Sequence, residues 1–261
     1  MTLEYTTEYL EERLDEDIKY KSENLDYYQS GINKIIEEYK DRFQDDIKHK
    51  CNEKYDDLCH LFHSYGVEYL YVDKDTEKFK GCFYLSAMAG EIWYKLRDPM
   101  YNLMSEERFH FRLKHAILSD CKDLALEIAG EDSAYGAVVM GDYERAKQYL
   151  PKDSKEISRN DEFEQMLWAI VYNDEKKMNH FVEKRIKSQR KDMKRSGYAC
   201  YYMDDYALAM IKLAKERGMQ CNLEVRELPL YLLDDNTQVD REKWKLPEDK
   251  EVEEILGYKI R

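Results

Sequence analysis

Apolar residues recur at three- and four-residue steps along most of this chain, the spacing that gathers them on one face of an α-helix. Leu10, Leu14 and Ile18 open the pattern, and Leu25, Tyr28, Ile32, Ile35, Ile36, Tyr39, Phe43 and Ile47 continue it. Ser22 or Asn24 suits the cap between these two runs. Tyr55, Leu58, Leu61, Phe62 and Tyr65 carry the step onward to Gly66, which reads as a stop. Residues 1–65 are therefore expected to form an acidic helical region, a hairpin packed on the rest. Residues 66–261 are expected to form a helical-hairpin domain with an acidic C-terminal tail, the two making one compact unit.

Val67–Val72 is a short β-branched and aromatic run that suits either an extended piece or an interhelical connection. Phe83, Leu85, Met88, Ile92, Trp93 and Leu96 predict an amphipathic helix within 79–96, ended by Asp98-Pro99. Ser105, followed by Glu106 and Glu107, reads as the next helix start. Phe109, Leu113, Ile117, Leu124 and Ile128 then predict one helix reaching Ala129-Gly130. Two later stretches share a plan. In each, a small apolar helix meets Gly141-Asp142 or Asn173-Asp174, and an amphipathic helix follows. The Gly or Asn can close the first helix in left-handed geometry, and the Asp can cap the second.

A further helix is predicted over about 202–217, with Tyr206, Met210, Leu213 and Ala214 on one face and Gly218 at its end. Leu223–Val225 is a short extended candidate, Leu228–Leu233 an apolar plug, and 248–257 a last helix. The expected fold is all-α: stacked antiparallel αα-hairpins with at most one or two short extended segments.

Composition agrees. Only 10 Gly and 4 Pro argue against a turn-rich β fold. The 23 Tyr suit half-buried helix seams and interfaces, because each has an apolar body and a polar tip. The net charge of −13 is uneven: residues 1–65 hold 17 acidic and 9 basic side chains, and 222–261 hold 11 and 7. The middle is nearly neutral but carries nine Lys/Arg against two acids over 176–195. Such a chain is a poor direct partner for nucleic acid or an anionic membrane, and it would attract a basic protein. The N-terminus has no basic-then-apolar leader, no apolar run approaches a membrane span, and the six Cys lack close pairing. These features predict a soluble cytoplasmic protein with reduced thiols.

Motifs for chemistry are sparse. Cys59 and His63 share a helix face at a zinc-chelating spacing, with Cys51 and His60 nearby, yet ordinary helix positions are the better account of them. Ser119 and Lys122 match S-x-x-K without its companion motifs. Asp204-Asp205 and Asp234-Asp235 suit a hard cation or acid–base work, but Asp204 or Asp205 also suits a helix cap. The basic stretch Lys184–Arg195 suits phosphate contact or a solvated, ion-paired helix face. No catalytic residue, metal or cofactor is assigned.

Asp205, Ala207-Leu208-Ala209, Leu213-Ala214, Arg217-Gly218, Leu228-Pro229 and Leu232-Leu233 form a pattern. An Ala/Leu helix ends in Arg-Gly and is followed by Leu-Pro. In this, Tyr202–Leu233 resembles the C-terminal part of the bacterial immunity-49 family of polymorphic toxin systems. The related helical immunity proteins of polymorphic nuclease toxins are a close competitor, and the likeness reaches roughly the C-terminal half. It implies a protein without a reaction of its own that binds and neutralises a cognate protein toxin. A basic nuclease toxin would suit the acidic N-terminal side chains Glu11, Glu12, Asp15, Asp45 and Asp46 as its docking surface. The alternatives from the residues alone are a helical-repeat adaptor and an all-helical metal-dependent hydrolase.

Overall fold

The structure, a computed structural model, describes residues 12, 15, 16, 19, 23, 34, 47–96, 105–158, 161–196 and 203–260. The helices expected before residue 47, their Ser22 or Asn24 cap, the Asp98-Pro99 stop, and Glu11, Asp45 and Asp46 lie outside the described residues. Among the described residues every regular element is helical and none is a strand, so the fold is all-α. The chain divides into two compact units, Ile18–Cys121 with Thr237–Arg261, and Met1–Asp17 with Lys122–Asn236.

In the first unit, α1 (Ile47–Glu68) packs along α2 (Thr76–Leu96), and α3 (Ser105–Leu118) packs on α2. Tyr55, Leu58, Cys59, Phe62 and Tyr65 form the buried stripe of α1, as their spacing requires. Gly66 does not stop this helix. A Cβ there would lie 2.6 Å from the Phe83 ring and 3.3 Å from Cys82 Cβ, so the glycine permits close approach of α1 and α2. The Val67–Val72 segment is not extended but is the connection: α1 runs into a π-helical turn at Tyr69–Asp73, closed by left-handed Lys74. The central helix is α2, buried on nearly every side from Phe79 to Ile92.

The single helix expected from 105 to 129 is two. It breaks at Asp120, whose φ is +60°, with Asp120 N–H donating to Ile117 O and Cys121 N–H to Ala116 O. This hydrogen-bond pair closes a helix whose next residue is left-handed. Glycine or asparagine is the usual occupant; here the buried Lys80 ammonium sits 2.7 Å from the Asp120 carboxylate and also donates to Thr237 O. The helix α10 (Lys250–Leu256) packs on α1 and α2 through buried Val252, and Lys54 pairs with its cap Asp249.

The second unit contains α4 (Lys122–Ala129), α5 (Ala134–Met140), α6 (Tyr143–Ala146), α7 (Glu162–Tyr172), α8 (Glu175–Ser196) and α9 (Asp205–Glu216). The pairs α5–α6 and α7–α8 are the expected hairpins, and α7 packs against α5, α6 and α9. Phe163 and Gln165–Val171 are buried all round α7, making it the core of this unit. Gly141 and Asn173 are left-handed, and Asp142 and Asp174 accept from Arg145 N–H and Lys177 N–H at 3.0 Å. Those two turns were legible residue by residue.

Leu208 and Leu213 lie in the core of α9, Gly218 is left-handed beyond its end, and Leu228 is buried. Pro229 precedes a 3₁₀ turn at Leu230–Asp234 that buries Leu232. Residues 223–225 are irregular, not a strand. No described helix is long and apolar enough to cross a membrane.

Candidate binding surface on the helical hairpins

Three helix ends of the second unit close with one hydrogen-bond pattern. Asp142 N–H donates to Ala137 O, Asp174 N–H to Ala169 O and Met219 N–H to Ala214 O. Gly141, Asn173 and Gly218 are the left-handed residues before them. Arg217 ties the three ends together. Its Nη1 donates to Val171 O at 2.7 Å, and its guanidinium lies 4.0 Å from the centre of the Tyr143 ring. Glu175 accepts from Gln220 N–H at 2.8 Å, joining the start of α8 to the chain leaving α9. Burial pulls the Arg217 guanidinium down from its usual range, opposed by Tyr143 and Glu144, and burial pushes the Tyr143 hydroxyl up against Arg217.

Around this half-buried Arg217–Tyr143 stack stand Asp142, Glu144, Glu175 and Glu216, all exposed. Glu144 pairs with Lys147 at 2.5 Å, and Asp142 caps α6. The surface therefore combines a tyrosine–arginine centre with a rim of exposed carboxylates, among which Lys147, Lys176 and Lys215 also stand. Tyrosine and arginine are enriched at the energetic centres of protein interfaces, and acidic rims accelerate encounter with basic partners.

The other sequence-predicted residues fall elsewhere. Glu12 and Asp15 are exposed, and Asp15 accepts from Arg226 at 2.7 Å within the same unit. Asp205 is buried beside Asp204, which caps α9 by accepting from Ala207 N–H at 2.9 Å. Asp234 pairs with Lys215, and the Ser119 hydroxyl donates to Ala116 O inside α3.

Among the described side chains of the basic stretch, Lys184, Arg185, Lys187 and Arg190 are ion-paired within their own unit. Arg185 contacts Asp204 at 2.8 Å and Glu162 at 3.3 Å, while Arg190 grips Glu227 through two nitrogens at 2.5 and 2.9 Å. Burial pushes the Asp204 carboxyl up even beside Arg185, whereas Asp204 and Glu162 push Arg185 up against its own burial. The Arg185 contact and the Ala207 N–H oppose that rise by favouring the charged carboxylate.

Sequence reasoning missed a buried serine–histidine pair. Ser86 Oγ lies 2.9 Å from His115 Nδ1 and donates to Cys59 O at 2.6 Å. With its one proton on that carbonyl, the serine accepts from Nδ1–H, the reverse of the arrangement that activates a nucleophile. The pair fastens α1, α2 and α3 together. Burial also pushes the Cys82 thiol up to about 12. Among the described cysteines, native-state alkylation at pH 8 is expected to modify half-exposed Cys221 before buried Cys51, Cys59, Cys82 and Cys121. Mass spectrometry of timed iodoacetamide digests checks this; early labelling of Cys82 contradicts it.

No protein-family model matches the chain, and no significant similarity connects it to a curated protein or a solved structure.

Proposed function

We propose that this protein binds and neutralises a bacterial toxin without chemistry of its own, using the acidic rim around Arg217–Tyr143 to dock a basic protein surface. The observation that carries the reading is the meeting of Arg217, a residue of the immunity-49 resemblance, with the two hairpin turns through Val171 and Tyr143. The rim supplies the field that steers a positively charged partner, and the tyrosine–arginine centre supplies a preorganised contact. A nuclease toxin, whose own substrate is polyanionic, is the class of partner this charge suits best.

Co-expression with the toxin encoded beside the gene tests the reading: growth should be rescued and a complex recovered. A toxin that kills regardless would end it. Within that complex, joint Glu144→Lys and Glu175→Lys substitution is expected to slow association about tenfold at low salt, an effect that fades as salt screens it. The same reversal at Glu12 and Asp15 is the comparison. An association rate that responds only to Glu12 and Asp15 would move the docking face to the acidic N-terminal residues.

A further inference from the structure

Independently of the toxin-binding reading, the geometry points to a zinc-class divalent ion site on α1, formed by Asp56, Cys59 and His60. Helical periodicity places residues i, i+3 and i+4 on adjoining positions of one face. Here a carboxylate oxygen, the thiol sulfur and an imidazole nitrogen all come within 4.8 Å of one another. His60 Nε2 stands 3.7 Å from Asp56 Oδ1. Two ligands bonded to one tetrahedral zinc at 2.0–2.1 Å lie about 3.3 Å apart. The imidazole and carboxylate thus need to close by only a few tenths of an ångström around an ion.

The three donors are held differently. Cys59 is buried, and its carbonyl is fixed by the Ser86 hydroxyl at 2.6 Å. Its backbone is thereby fixed, and the sulfur swings only about the side-chain bond. The His60 ring packs against Phe111 with centroids 4.8 Å apart, which limits its swing while leaving the residue exposed. Asp56 is half-buried on the preceding turn. A soft thiolate with an imidazole and a carboxylate is a donor set for zinc and its spectroscopic substitute cobalt, and not for magnesium or calcium. Three protein ligands leave the fourth position to water. The sequence reading paired Cys59 with His63 instead; the structure turns the His63 ring onto His115 at 4.8 Å.

Binding requires that the Cys59 thiol lose its proton, so affinity should rise with pH. The test uses the full chain, stripped with a chelator and titrated with zinc chloride by calorimetry, and with cobalt chloride by absorption. The expected result is one equivalent of zinc per chain and a cobalt–thiolate charge-transfer band. His60→Ala, at an exposed position, should keep the native circular dichroism and weaken zinc binding by about tenfold or more, since even outer partners of a ligand are worth that much. Asp56→Asn should weaken it in the same direction. The inference is overturned if wild-type protein takes up no zinc, if His60→Ala binds with unchanged affinity, or if bound cobalt shows no thiolate band.

Discussion

Glu227→Ala is expected to destabilise the second unit by about 3–5 kcal/mol, the usual cost of removing one partner from a buried ion pair. Arg190 and Glu227 are both buried, at 8% and 7% exposure, and the two contacts between them form a planar fork. Truncating the carboxylate removes both bonds of the fork from a guanidinium that is itself buried. The Glu227 carbonyl also accepts from Asp204 N–H at 2.9 Å, so the same residue anchors the start of α9. Urea denaturation should show a lower midpoint, and hydrogen exchange should accelerate in α8 and α9 together. Replacing both partners, Arg190→Met with Glu227→Leu, should be far milder, because no unpaired charge remains. A loss below about 1 kcal/mol for Glu227→Ala would mean that water replaces the carboxylate and that the pair is not buried in solution.

The second large effect is expected at Gly136. In an exposed helix interior, glycine to alanine gains about 1 kcal/mol. At Gly136 the added Cβ would lie 2.0 Å from the carbonyl oxygen of Gly130 and 3.0 Å from its carbon. Those atoms are backbone and cannot rotate away. The Ser133 hydroxyl, which accepts from Gly136 N–H and donates to Ala129 O, is only 3.3 Å off as well. Gly136→Ala should therefore lower stability by about 3 kcal/mol, the upper part of the overpacking range. Gly81→Ala is the instructive contrast. Its Cβ would meet the Trp244 ring at 2.1 Å, so there a side chain, not backbone, would have to shift. A melting temperature for Gly136→Ala equal to or above the parent's would show that α4 and α5 separate in solution.

The contrast between Gly136 and Gly66 shows what a sequence conveys. Glycine after an amphipathic run reads as a helix stop, and Gly141 and Gly218 behave that way. Gly66 obeys a different cause, the Phe83 ring on another helix, and no local pattern announces it. The break at Asp120 has the same origin. An aspartate costs more than glycine in the left-handed region, and it is held there by Lys80, far away along the chain. The candidate surface divides in the same way. Its two turns were readable as Gly141-Asp142 and Asn173-Asp174, because the left-handed residue and the capping carboxylate are neighbours in sequence. Its centre was not, since the stacking of Arg217 on Tyr143 and its bond to Val171 are long-range contacts.

The sequence alone determined the helical character of the described residues, the helix ends at Gly130, Gly141, Asn173, Gly218 and Gly257, and which faces are apolar. These follow from periodicity, capping and composition, all of which act within a few residues. The tertiary structure decided which helices touch, which glycines serve packing, and where the charges go. In particular, it placed Arg185 and Arg190, from a basic stretch that suited either phosphate contact or an ion-paired helix face, in ion pairs with Glu162, Asp204 and Glu227. The physical reason is range. Backbone geometry and caps are local, whereas burial of charge depends on partners that only the folded chain brings within 3 Å or so.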